Sequence, residues 1–287
     1  RINLIYDMGI HTIGENRVQE LLEKYNIGFL PVSLYINGKE YKDYADITPS
    51  EFYELLPNIA EIPTTSQIRV PEFEAAFRSA LDDGYDTIIC FTLAQEASGT
   101  FNNANLAKNM LLEEYPNADI TIVSGSLAYI YGRLAVEAGK LASEGASKEE
   151  ILKAVNELAE NSANFFVVTT LKYLKKGGRI KPTVANIGDI LNIKPILSVK
   201  DGLVTAIDKV RGSKKVIPKL MSFVRDAGIE NAKEVYIFDG AADPADIEAV
   251  KAALKENFNI ENAQIAAVGP VIGLHTGPGI FGILLFK

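Results

Sequence analysis

An α/β fold in two domains is predicted from three observations. Apolar runs alternate with amphipathic stretches through the first half, two capping boxes open helices between those runs, and the second half turns to strand pairs joined by tight turns. At 287 residues the chain exceeds the usual single-domain size, so two domains of roughly 100–180 residues are expected. The first should be a mainly parallel βαβ sheet and the second α+β.

Ile2–Asp7 reads as the first strand, and Glu15–Tyr25 carries Val18, Leu21 and Leu22 at helical spacing. An extended segment over Gly28–Ile36 should turn at Asn37-Gly38, a strong hairpin signal. Thr48-Pro49-Ser50-Glu51 joins a capping box to proline at the first helical position. After a loop around Pro63, a helix over about Pro71–Asp83 leads into the strand Thr87–Leu93, and another helix starts near Ser98. Asp119–Val123 and Leu127–Ser143 follow as strand and helix, then Ser147-Lys148-Glu149-Glu150 caps a helix reaching about Asn161. In the second half, Asn164–Thr170 and Lys194–Val199 are strand-like, and Asp201-Gly202 turns into an antiparallel return strand over Leu203–Val210. Helices at about Lys214–Ala227 and Pro244–Asn257 frame the strand Glu234–Asp239, and Ile265–Val268 and Ile280–Phe286 finish the sheet. The domain boundary is placed near Ser162, giving domains of 1–162 and 163–287.

With 47% hydrophobic residues and ordinary glycine and proline content, the chain can bury a large core. The 29 basic and 37 acidic residues give a net charge of −8, which repels a phosphate backbone and argues against nucleic acid as a partner. No apolar run approaches the roughly 18–20 residues that cross a bilayer, and Arg1–Met8 does not read as a signal peptide, so a cytoplasmic location is expected. The single cysteine, Cys90, falls in an apolar strand and reads as core. With two histidines and one cysteine, a His/Cys zinc site is ruled out, and no metal or cofactor is expected.

Three polar segments stand out: Thr64-Thr65-Ser66-Gln67 after Pro63, Ser98-Gly99-Thr100, and Gly273–Gly279 with His275 and Thr276. Ser98-Gly99-Thr100 is expected at a helix N-terminus past the carboxyl end of a strand, where free N–H groups favour an anion and open sheets bind ligands. Taken alone, Ser98 reads more readily as a helix cap than as a site residue, and the Thr64–Ser66 hydroxyls as turn chemistry. The imidazole of His275 should be held on a glycine-rich loop, while His11 reads as a solvated loop residue. Lys175-Lys176-Gly177-Gly178-Arg179 is a basic helix end from which Arg179 could reach an anion. Arg211-Gly212-Ser213-Lys214-Lys215 is a candidate docking patch.

These segments, with Gly177-Gly178-Arg179-Ile180 and Leu191-Asn192-Ile193-Lys194-Pro195-Ile196-Leu197, resemble the DegV family along essentially the whole chain. Each motif is weak singly; five in this order make a specific match. The resemblance implies a Rossmann-like N-terminal parallel-sheet domain, a C-terminal α+β domain, and a long-chain fatty acid bound between them. It further implies a lipid-presenting rather than catalytic protein, whose partner is a separate ATP-dependent fatty acid kinase subunit that makes an acyl phosphate, with transient membrane contact left open. Carried over, Thr65, Ser98 and His275 would contact the carboxylate, with Arg179 nearby, and Thr64, Ser66, Gly99, Thr100 and Thr276 complete the expected site. This chain departs from the family pattern at Asp7-Met8, at Gly125-Ser126, and at Ile68, where proline is common.

A serine acyl hydrolase with Ser98 as nucleophile and His275 as base is the alternative. Against it, Ala97-Ser98-Gly99 lacks the Gly-x-Ser-x-Gly elbow and no acidic partner for the histidine is marked. A nucleotide- or sugar-phosphate-binding enzyme ranks lower, since neither Gly-x-Gly-x-x-Gly nor a Walker A loop occurs in the strand-to-helix turns.

Overall fold

The computed structural model describes residues 1–6, 15–125, 130–185, 192–200 and 202–287. Asp7-Met8, His11, Ser126, Leu191 and Asp201 lie outside the described residues. The first half contains β1 (Ile2–Tyr6), α1 (Glu15–Lys24), β2 (Ile27–Phe29), β3 (Ser33–Ile36), β4 (Lys39–Lys42), α2 (Pro49–Leu55) and β5 (Thr64–Ser66). It continues with α3 (Val70–Asp82), β6 (Thr87–Thr92), α4 (Thr100–Glu114), β7 (Asp119–Ser124), α5 (Ile130–Ser143) and α6 (Lys148–Glu160). The second half contains β8 (Ser162–Val167), α7 (Lys172–Gly177), α8 (Pro182–Ala185), β9 (Ile193–Lys200), β10 (Leu203–Arg211) and α9 (Val216–Asp226). It closes with β11 (Glu234–Gly240), α10 (Pro244–Phe258), β12 (Gln264–Ala267), α11 (Pro270–Thr276) and β13 (Ile280–Phe286).

The α/β class is as the sequence predicts. A four-stranded parallel sheet has the order β2-β1-β6-β7, and a six-stranded mixed sheet the order β10-β9-β8-β13-β11-β12. In the parallel sheet the strand order reverses between β1 and β6, which opens a crevice at their carboxyl ends. The chain leaves β6 into the Ser98 segment at that edge.

Two local expectations are corrected. Gly28–Ile36 is not one strand: β2 joins the parallel sheet, while β3 pairs with β4 and β5 in a separate antiparallel sheet. Pro31 interrupts the segment, and its missing N–H breaks a continuous ladder. Thr64–Ser66, read as turn chemistry, is the strand β5, with Thr65 opposite Leu34 and Ser66 opposite Ser33. The hairpin after β3 forms as expected, with Asn37 and Gly38 both at positive φ (50° and 78°). Thr48 and Glu51 complete the reciprocal cap of α2, which packs on α11 and buries Phe52.

Period-two alternation decides what the mixed sheet faces. Val167, Ile196, Ile237 and Ile283 point to a core under α9 and α10. Phe166, Leu197, Phe238 and Leu284 point the opposite way, into a second core continuous with the parallel sheet. Between β8 and β9 the ladder registers only Phe166 with Leu197, and the Asn164 carboxamide accepts the Val199 N–H at 2.9 Å in place of a further rung. Elsewhere the halves are joined by Arg133 of α5, whose guanidinium meets Glu234 of β11 at 2.9 Å and Glu137 at 2.8 Å. Burial raises the Glu234 carboxyl, but hydrogen bonds from Arg133 and Tyr236 more than offset this and leave it below its usual value.

Candidate functional site

A cavity of about 380 Å³ opens between the two halves of the chain, inside the roughly 300–1,000 Å³ typical of small-molecule pockets. Its apolar wall comes from both halves: Val32 and Leu93 from the first, Phe166, Leu174, Val199 and Ile272 from the second. At one end the wall becomes polar, with Thr65, Ser66 and Gln67 of β5 and its exit, Ser98 and Gly99 before α4, and Arg179, His275 and Thr276. A smaller cavity of about 190 Å³ shares Thr65, Arg179 and His275 with the first, and adds Thr64, Lys176 and Gly177. These three shared side chains therefore stand between two adjoining cavities, the smaller of which is also lined by Ile62, Pro63 and Leu274.

His275 is corrected from loop to helix: it occupies the last turn of α11, where it faces β5. Its Nε2 lies 3.4 Å from the Thr65 hydroxyl oxygen. Its Nδ1 is buried with no hydrogen-bond partner among the described residues. Gly177 makes room for it, since a Cβ on that residue would fall 2.3 Å from Nδ1. An N–H at Nδ1 would have no acceptor, so the neutral ring carries its proton on Nε2, and the Thr65 hydroxyl is left to donate onward.

Burial, with the Arg179 guanidinium beside it, pushes the His275 imidazole down from 6.5 to about 4. The unfolded chain takes up a proton near 6.5 and the folded chain does not until about 4, so stability is lost as pH falls through that window. The loss should reach on the order of 3 kcal/mol. We expect the melting temperature to fall between neutral pH and about pH 4 more steeply than in His275→Gln; equal slopes would show that His275 does not titrate in this way.

Arg179 follows the left-handed C-cap Gly178 of α7 (φ 70°). Its carbonyl accepts the Val204 N–H at 3.0 Å, which ties it to β10. The guanidinium donates to the Gly177 carbonyl and, at 3.0 Å, to the Ala97 carbonyl of the other half. It thus braces the Ser98 segment against α7 while lining both cavities.

Ser98 donates to the Thr100 hydroxyl oxygen at 2.9 Å and accepts the Thr100 N–H at 3.2 Å. Thr100, expected in the site, is fully buried behind Ser98, where its oxygen also takes the Ile68 N–H at 3.4 Å. Proline at position 68 would lack that donor. Thr64 is exposed and lines the smaller cavity, not the larger one. Thr276 reaches the apolar cavity, although its hydroxyl is engaged by the Ile272 carbonyl at 3.1 Å. Gln67, Gly177 and Lys176 also stand on the cavity walls, and their place there depends on pairings across the fold.

A hydrolytic triad is not assembled in this geometry. The Ser98 proton is engaged by Thr100, and the His275 nitrogens meet Thr65 on one side and Gly177 on the other. Among the described residues, no group of three or more His, Cys, Asp or Glu side chains could hold a metal ion, and no helix is long and apolar enough to cross a membrane.

A family model described as an uncharacterised protein of the DegV family matches residues 17–287. The chain belongs to the DegV family. A DegV domain-containing protein of Clostridium perfringens is 36% identical over 270 residues, covering 92% of this chain and 93% of that one. Among solved structures, a fatty-acid-binding DegV family protein of Thermus thermophilus superposes with a TM-score of 0.84 at 30% identity, covering 100% of this chain and 99% of that one. A stearic-acid-binding protein of Eubacterium ventriosum, 26% identical, gives 0.84 with 99% and 98% covered. The DegV fold accounts for the pairing of a parallel with a mixed sheet.

Proposed function

We propose that this DegV protein binds one long-chain fatty acid between two domains that meet near Ser162, and presents its carboxylate to a separate ATP-dependent kinase subunit in the cytoplasm. The observation that carries the reading is a largely apolar cavity of about 380 Å³ whose wall also holds Thr65, Ser98, Arg179 and His275. The binding of fatty acid by the Thermus thermophilus and Eubacterium ventriosum relatives supports the same reading.

The energetics agree. Each buried methylene contributes about 0.8 kcal/mol, so an acyl chain of roughly sixteen carbons gains on the order of 10 kcal/mol before the cost of association. An ionised carboxylate at the end of that chain must be met by donors, since leaving it unpaired costs several kcal/mol. The Thr65 hydroxyl, backed by the Nε2–H of His275, supplies one donor and the Ser98 hydroxyl a second once it turns from Thr100. Arg179 supplies the neighbouring positive charge. Among the described residues of the site no side chain activates a nucleophile, so the protein orients the carboxylate and excludes water from its tail, and the phosphoryl donor approaches from the side of the smaller cavity.

Denaturing extraction of the purified protein, followed by mass spectrometry, should yield one fatty acid per chain. Recovery of no acyl chain from protein that also fails to bind added palmitate would end the proposal. With a kinase subunit and ATP, acyl phosphate should form and should drop with Ser98→Ala while folding persists; product at the wild-type rate would remove Ser98 from its assigned role.

A further inference from the structure

Gln67 is left over by the account above, and it borders the head of the apolar cavity. A carboxylate has two oxygens with about four acceptor positions, which Thr65, Ser98 and Arg179 can fill. The cavity wall nevertheless continues past them into Ser66 and Gln67, two further hydrogen-bonding side chains on the same strand exit.

Gln67 is an exposed side chain for which Gly99 leaves room. A Cβ at Gly99 would fall 1.9 Å from the Gln67 Oε1 and 3.0 Å from its Cδ, so the carboxamide lies on the bare face of the residue that follows Ser98. Gly99 follows Ser98, the proposed donor to the carboxylate, and Gln67 lines the same cavity. Behind it, Ser66 and Gln67 also line a polar groove of about 260 Å³ with Ser33, Lys42 and Glu72, so space continues outward from this point rather than closing on an apolar wall.

We propose that Gln67, with Ser66, forms a polar shelf that accepts a hydroxyl group on the acyl chain next to the carboxylate, so that α- or β-hydroxy fatty acids are ligands of this protein. This rests on the fatty-acid reading of the cavity. The Gln67 carboxamide can both donate to and accept from such a hydroxyl. A plain acyl chain would lay methylene against that amide and gain nothing from it, whereas a leucine in its place would leave the hydroxyl without a partner.

The test is a binding comparison of palmitate, α-hydroxypalmitate and β-hydroxypalmitate on delipidated protein, repeated with Gln67→Leu. Expected are at least one hydroxy acid bound as tightly as palmitate, and a loss of about tenfold for that acid alone in Gln67→Leu. Palmitate bound much more tightly than both hydroxy acids, or Gln67→Leu weakening all three equally, would overturn the shelf while leaving the fatty-acid reading intact. Failure of all three to bind would instead remove the reading on which it stands. Gln67→Asn, which shortens the side chain but keeps the amide, should retain part of the preference if hydrogen bonding causes it, and none if shape alone does.

Discussion

Thr65→Val is expected to weaken fatty-acid binding by roughly ten- to a hundredfold, since hydrogen bonds to charged groups are worth about 1.5–3 kcal/mol and each 1.4 kcal/mol is a factor of ten. Valine keeps the β-branched shape that suits β5 while removing the hydroxyl that lies 3.4 Å from His275 Nε2. The fold should therefore persist, and the loss should appear in titration of delipidated protein with palmitate. His275→Ala should lose a similar amount, and the double variant little more than either single one, because each removes the same chain of donors. Additive losses would mean that Thr65 and His275 reach the ligand separately. Wild-type affinity in Thr65→Val would take this residue out of the carboxylate site.

Gly177→Ala should abolish most of the binding through a residue that need not touch the ligand. The added methyl would fall 2.3 Å from His275 Nδ1 and 3.2 Å from Cε1, and the ring is not a flexible tail that can swing aside at no cost, since α11 holds it against β5. Gly177 ends α7 without a positive φ, so alanine suits its backbone and any loss of stability comes from the clash with the ring. We expect an affinity loss of about tenfold or more, with the fold retained at a lowered melting temperature. The same substitution made in His275→Ala should cost nothing further. A further loss in that background would show that Gly177 acts by another route, such as the packing of α7.

The α/β class, the two capping boxes and most element positions were legible because they rest on local physics: side-chain period, cap chemistry and turn residues act within a few positions of one another. Asn37-Gly38 is an example, since its two left-handed residues dictate a hairpin whatever surrounds it. His275 was legible as a residue worth attention, but its setting was misjudged. Three glycines within Gly273–Gly279 read as a loop, whereas Pro270 at the start of the segment opens a short helix that runs to Thr276. Thr64–Ser66 was misjudged for a related reason, because a three-residue strand carries too little pattern to be seen and exists only through its pairing with β3.

By itself the sequence determined which chemistry the molecule carries: two α/β halves, a strand-to-helix turn bearing Ser98, a hydroxyl run, a lone buried-type cysteine and a histidine among glycines. Only the tertiary structure decided that Thr65 and His275, 210 residues apart, lie within 3.4 Å, that Thr100 turns inward, and that Gln67 lies against Gly99. Caps and turns are settled by neighbours along the chain. The site depends on how two sheets pack their apolar faces, and that choice is made by side chains far apart in sequence, Phe166 and Leu93 among them, which no local pattern connects.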